Sequence, residues 1–151
     1  MLDDAPIEAR RAAAVLSTDR RRIDTGAVLD MLHRTHWAGS MDLPTLERAI
    51  ANSLCLAVYE ETTVVAFARA VTDLATYAYL TDVVVLESRR GHGYGSWMVE
   101  AFLAHPDLQR VRRIALLTRD AHALYERYGF AVGVLGGSTY MERRPVAYEG
   151  Q

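Results

Sequence analysis

Residues 83–97 read VVVLESRRGHGYGSW, an apolar run, a short charged turn, and then glycines at positions 91, 93 and 95 at the mouth of a helical pattern. Glycine in an ordered segment gives up more conformational freedom than any other residue, so a cluster implies a tight turn or a close approach to the backbone. A strand that ends in such a turn and opens a helix gathers free amide N–H groups and the positive end of the helix dipole at one point. That is an anion site, and phosphate is its natural occupant. Arg89 and Arg90 add positive charge beside it. The spacing is not the dinucleotide fingerprint, which needs two residues between its second and third glycine, and no Gly-Lys-Ser/Thr follows for a nucleoside triphosphate.

The pattern on either side of the loop predicts a mixed sheet with helices on it. Ala12 to Ser17 reads as a short strand after a polar leader. TGAVLDMLHRTHW sets Val28, Met31, Leu32 and Thr35 on one helical face, and MDLPTLERAIANS sets Leu43, Leu46 and Ile50 on another, with Asp42 as N-cap and Pro44 in the first turn. SLCLAVYE and TTVVAFARAV, joined at Glu60-Glu61, read as a hairpin. YAYLTDVVVLE reads as a central strand covered on both faces. After the glycine loop, SWMVEAFLAH makes a helix that His105-Pro106 stops, and RIALLT reads as a buried strand. DAHALYERYGF is the clearest helix: Asp120 caps it, Ala121, Leu124, Tyr125 and Tyr128 form its stripe, and Gly129 ends it. AVGVL and STYMERR are expected to finish the sheet as strands around Gly136-Gly137.

With 151 residues the chain is expected to be a single domain, residues 1–151, able to bury a core without staples. Its formal net charge of -2 argues against nonspecific nucleic-acid binding. All 17 residues counted as Lys+Arg are Arg, which removes Schiff-base and phosphate-loop lysines. Cys55 lies in an apolar run and reads as a small buried hydrophobe. No stretch has the length of a membrane span, and the start of the chain lacks the apolar core of a signal peptide, so no membrane contact and a cytoplasmic location are expected. His33 and His36 have no carboxylate or cysteine pattern beside them, so no metal is expected.

The loop together with ALYERYGF downstream resembles the GNAT superfamily of acyl-CoA N-acyltransferases, whose loop after the fourth strand reads Arg/Gln-x-x-Gly-x-Gly/Ala. Arg90, Gly93 and Gly95 match it, and Ala121, Tyr125, Gly129 and Phe130 carry the second signature. The resemblance spans about Ala12 to Arg143. It implies a GNAT-like α/β (α+β) fold: a mixed, mostly antiparallel sheet of six to seven strands, helices on both faces, and splayed fourth and fifth strands. It implies acetyl-CoA as acyl donor, its pyrophosphate on the amides of Arg90, Gly91, His92, Gly93, Tyr94, Gly95 and Ser96, where the helix is expected to begin near Ser96. The pantetheine arm is expected to pair with the backbone of Val83, Val84 and Val85, with an oxyanion donor around Val83 or Val84. Thr118 stands where the family often has an asparagine that contacts pantetheine, and Glu87 where it often has proline.

Acetyl transfer to an amine needs a neutral nitrogen, oxyanion stabilisation and a proton for the departing thiolate. Tyr125 aligns with the family tyrosine that protonates the thiolate; its competing reading is a core aromatic. Asp82, a carboxylate inside a strand, has two readings: an ion pair with Arg69 across the hairpin, or a group in the acceptor cleft that attracts or deprotonates an ammonium. Some members of the family carry a Glu-Asp pair here with the glutamate as base, and this chain has Thr81-Asp82. THWAGS offers Trp37 and His36 to an acceptor pocket that Arg69, Tyr79 and Phe67 would also line, with core packing of Trp37 as the alternative. The expected activity is N-acetylation of a small-molecule primary amine by direct attack. An acyl-CoA-binding sensor without transfer and a protein or peptide N-acetyltransferase stay open, as does a homodimer.

Overall fold

The structure is a computed structural model that describes residues 5–133 and 138–144. The chain divides into two compact units, one running to Leu117 and one beginning at Thr118. The first holds a six-stranded sheet in the order β1 (Glu8–Arg11), β2 (Ala14–Ser17), β3 (Leu54–Glu60), β4 (Thr63–Thr72), β5 (Ala78–Val85) and β6 (Ile114–Leu116). Every neighbouring pair is antiparallel except β5 and β6, which are parallel.

Helices α1 (Thr25–His33) and α2 (Leu43–Ala51) cover one face. Their Val28, Met31, Leu32, Leu46 and Ile50 pack on Cys55, Ala57, Tyr59, Phe67 and Val84 of the strands. Both helices start on aspartate: Asp24 accepts from the Ala27 amide at 3.0 Å and Asp42 from the Thr45 amide at 2.8 Å, with Pro44 in the first turn of α2. Helix α3 (Tyr94–Ala104) lies on the other face, where Trp97 and Ala101 border Leu16 and Leu56. It ends where His105, ahead of Pro106, turns to an extended conformation at ψ 127.

Several elements depart from the sequence expectation. The polar leader contributes strand β1, so four strands before the glycine loop become five. Its residues are exposed except Ala9, as suits an edge strand that water can solvate on both faces. Strand β5 is buried only at alternate residues, because it lies one strand from the edge with one face half open, whereas β3 is covered on both faces. Strand β6 is three residues long and half-buried, and Leu117 after it is exposed. Thr35 falls outside α1, and Leu43 is exposed.

In the second unit the expected long helix is α4 (His122–Glu126), five residues with Ala121 at the N-cap position and no side-chain cap from Asp120. Thr118 Oγ1 accepts from the Ala121 amide at 3.0 Å instead. The end is as read: Gly129 is left-handed at φ 85, and the Phe130 amide reaches back to the Tyr125 carbonyl at 3.2 Å. Residues 131–133 and 138–144 form no strand. Val134, Leu135 and the Gly136-Gly137 pair lie outside the described residues.

Candidate active site

Between β5 and α3 a 3-10 turn, Glu87–Arg89, leads into the glycines. Gly91 and Gly93 sit in the left-handed region at φ 82 and 79, which any side chain would strain. Helix α3 starts at Tyr94, two residues before the expected position, with Gly93 as its N-cap. The first backbone bond onto the helix comes from Trp97, to the Gly93 carbonyl at 2.9 Å. Among the described residues no acceptor meets the amides of residues 91–96. The Arg90 amide does not belong with them, since it donates to the Glu87 carbonyl at 3.3 Å. A Cβ built on Gly91, Gly93 or Gly95 meets nothing within 4 Å, so packing does not require glycine there and the space beside the amides stands open.

The loop is held from outside. Glu60, at the end of β3, accepts from Arg89 Nε at 2.7 Å and from the Tyr94 hydroxyl at 2.6 Å, gripping the residues before and after the glycines. These bonds, Tyr94 first and Arg89 next, hold the Glu60 carboxyl below its ordinary range and push the Tyr94 phenol up. Arg89 is therefore committed to Glu60, while the exposed Arg90 side chain has no protein partner among the described residues. His92 Nδ1 lies 2.9 Å from the Arg89 carbonyl, so Nδ1–H donates to it, and its ring stacks on Tyr94. Glu87 faces Arg34 at 3.8 Å.

Beside this cradle the sheet opens. Pairing of β5 with β6 covers Ala78, Tyr79 and Leu80 and stops at Leu80 with Leu116. The Leu86 amide donates to the Val65 carbonyl at 2.8 Å. By the alternation of an antiparallel ladder, the backbone groups of Val84 then also face β4, opposite Phe67, and those of Val85 face the side that has no strand partner there among the described residues. Val84 is thus unsuited to the backbone contact and the oxyanion role expected of it; its side chain packs in the core. Val83 lies in a bulge, where Asp82 and Val83 together face Ala68.

Asp82 takes a left-handed φ of 54, a conformation that aspartate tolerates better than most residues, and is 4% exposed. Its Oδ2 accepts from Arg69 Nε at 2.5 Å and its Oδ1 from Trp37 Nε1 at 3.2 Å. Arg69 Nη1 continues the chain to Ser53 Oγ at 3.2 Å. The ion pair read from the hairpin is therefore formed, and both carboxylate oxygens are engaged. Trp37 is anchored by its nitrogen while 49% of it remains exposed, with His36 edge-on at 5.0 Å between ring centres. Tyr79 is half-buried on the same sheet face, and its phenol is raised by burial. Phe67, expected at the pocket, is fully buried in the core.

Burial pushes the Cys55 thiol up to about 12, and its weak S–H donor has only the Ser53 and Ile50 carbonyls within reach. Such a thiol is inert. His33 Nε2 is 2.6 Å from the Met41 carbonyl, and no group of three metal-ligating side chains occurs among the described residues. In the second unit Tyr125 is buried, which raises its phenol; its ring meets Phe130 edge-on at 5.9 Å. Thr118, expected against the donor, spends its hydroxyl as an acceptor for Ala121. Sequence reading missed Glu60 and Ser53, whose partners lie far along the chain and leave no local pattern.

The profile of the Acetyltransferase (GNAT) family matches residues 27–130, more than half of the chain. The chain belongs to the GNAT acetyltransferase family. A GNAT-family crystal structure from Xanthomonas campestris pv. campestris, provisionally described as an acetyltransferase, is 42% identical with a TM-score of 0.84, over 90% of this chain and 96% of that one. A Gibberella zeae protein provisionally named an acetyltransferase is 31% identical over 139 residues, 76% of this chain and 77% of its own length. Glucosamine-6-phosphate N-acetyltransferase from Arabidopsis thaliana shares the GNAT fold at 16% identity and a TM-score of 0.60, over 92% and 100% of the two chains. The six-stranded, mostly antiparallel sheet with helices on both faces is that of the GNAT fold.

Proposed function

We propose that the chain is an acetyl-CoA-dependent N-acetyltransferase that acts as a single domain in the cytoplasm on the primary amine of a small molecule. The observation that carries this reading is the run of amides at residues 91–96, without acceptors, beside open space at the N-terminus of α3. Converging N–H groups and a helix dipole fit a diphosphate, and the free Arg90 side chain supplies a full charge at the rim. The Val85 backbone, facing the unpaired side of β5, fits an extended amide-bearing arm bonded as a strand would be.

The donor supplies an activated acetyl thioester. Attack by the amine forms a C–N bond and breaks the C–S bond; the thiolate takes up one proton and the nitrogen releases one. Tyr125 is proposed as the proton donor on the strength of its alignment with the family tyrosine. No covalent acyl-enzyme is invoked, in keeping with the inert thiol of Cys55.

A second reading, acyl-CoA binding without transfer, draws on the commitment of both Asp82 oxygens to Arg69 and Trp37. One experiment separates the two. Thermal-shift titration with acetyl-CoA should raise Tm, and release of free thiol across an amine panel should identify an acceptor. Stabilisation without thiol release from amines or peptides favours the binding module. Absence of any shift and any thiol release overturns both.

A further inference from the structure

The sheet face that carries Arg69 holds more than a structural ion pair. Arg69 stands opposite Thr81, and two residues further along each strand Val71 stands opposite Tyr79. Directly opposed residues share a face, and the face is shared with Cys55, the partner of Arg69 on β3. Val71 and the neighbouring Tyr77 are exposed, and Trp37 overhangs the Arg69–Asp82 pair. The result is an apolar and aromatic floor with one pair of opposite charges set into it.

The donors of Arg69 are not all used. A guanidinium has five N–H groups. Nε is taken by Asp82 and Nη1 by Ser53, while Nη2 has no protein acceptor. Among the described residues the one side-chain polar atom both sealed from solvent and unpartnered is the Tyr59 hydroxyl, so Nη2 reaches solvent even though the Arg69 side chain is only 14% exposed. On β3, β4 and β5 the residues of this face that carry charge are Arg69 and Asp82; Glu8 and Arg10 share the face only on β1, at the far edge of the sheet. An acceptor recognised only by its ammonium would need a free carboxylate here, and Asp82 is already bonded through both oxygens.

We propose that the acetyl acceptor is an apolar α-amino acid, or a close amino-carboxylate, whose carboxylate is taken by the Nη2 edge of Arg69 and whose side chain lies against Trp37 and Tyr79. This rests on the acetyltransferase reading above. Charge balance favours it: the Arg69–Asp82 pair is neutral in sum, so a zwitterion binds without adding net charge and gives up one ammonium proton to solvent before attack, whereas a dicarboxylate or a bare cation leaves an uncompensated charge beside a mostly buried pair. The planar fork of arginine suits a carboxylate, and the remaining N–H groups are fixed in direction by the two bonds already made.

The test uses leucine, methionine and phenylalanine, each with its amide and its decarboxylated amine. Binding to the wild-type protein without acetyl-CoA is read by tryptophan fluorescence, with Trp37→Phe assigning the signal; thiol release with acetyl-CoA is read in parallel. At least one free acid should bind about 10-fold or more tightly than its amide and amine, the usual worth of a hydrogen bond to a charged group. Arg69→Lys, which keeps a cation opposite Asp82 and removes the fork, should erase that preference. Equal or tighter binding of amides or amines, or no binding of any free acid, overturns the proposal. Preference for the acid without thiol release leaves the carboxylate site at Arg69 standing but overturns its role as an acceptor site together with the acetyltransferase reading. Thiol release as fast with amines or amides as with the acids does the reverse.

Discussion

The Arg69–Asp82 pair offers a quantitative check that needs no knowledge of the acceptor. The two side chains are 14% and 2% exposed and meet at 2.5 Å, so each is the main compensation for the other's charge. Asp82→Asn keeps a side chain suited to φ 54 and an oxygen for Trp37, and removes only the charge opposite Arg69. Breaking a buried pair from one side costs about 3 kcal/mol or more, because a desolvated charge is left behind. Asp82→Asn is therefore expected to cost about 2–3 kcal/mol, somewhat relieved by the Ser53 bond and the solvent at Nη2. Arg69→Met, which strands the less exposed carboxylate, should cost about 3–4 kcal/mol. The double variant should cost about as much as the worse single one, giving a coupling of about 2–3 kcal/mol. Urea unfolding followed by circular dichroism measures all three, and each single change should lower Tm by roughly 4–16 °C in a chain of this size. Asp82→Ala should be about 1 kcal/mol worse than Asp82→Asn, since alanine resists the left-handed region. Additive single costs, within about 0.5 kcal/mol, would show that the pair is no mutual compensation and would refute the burial argument.

Other expectations are more compact. Glu60→Gln should weaken coenzyme A binding about fivefold by calorimetry, because the glycine loop loses the carboxylate that grips Arg89 and Tyr94. The carboxyl of Glu60 is held below its ordinary 4.5, so the grip is present above that value, persists as pH falls through it and is lost only at the lowered pKa; coenzyme affinity falling already above pH 5 would contradict this. Cys55, with its thiol at about 12, should resist iodoacetamide in the folded protein at pH 8, where only about one molecule in 10⁴ carries thiolate, and Cys55→Ala should retain turnover. Tyr125→Phe should slow the chemical step by about 10²-fold. With its phenol raised by burial, the alkaline limb of the wild-type rate should lie above pH 10, since the neutral form is kept until pH passes the raised value; an unchanged rate constant in the variant would return Tyr125 to a packing role.

How far the sequence reached can be seen residue by residue. Asp42 and Pro44 announced α2 because capping is local chemistry, and the glycine loop was legible because positive φ leaves few alternatives to glycine. Asp82 stood out as a charge inside a strand, and hairpin register was enough to name Arg69 as its partner. The bulge beneath it was not legible, since an aspartate tolerates φ 54 without advertising it. Strand β1 was missed because an edge strand solvated on both faces needs no apolar alternation. The Glu60 grip spans 29 and 34 residues, and such closures depend on how the hairpin end meets the loop. Of the strands expected at residues 131–135 and 138–144, the described residues 131–133 and 138–144 form none, although Val132 and Tyr140 are residues of high strand propensity; propensity describes half-buried positions, and both are exposed.

The unpaired side of β5 has a further consequence for handling the protein. Naked strand edges are adhesive, and a second molecule can add its own strand where hydrogen-bonding groups lack partners. Among the described residues the stretch without a strand partner is short, begins beyond Leu80 and is soon contorted by the residue at φ 54, which denies a newcomer the straight template it needs. The same contortion that aims a carboxylate at Arg69 thus disfavours the addition of a straight strand at this edge. Straightening it should yield a chain that clumps on storage.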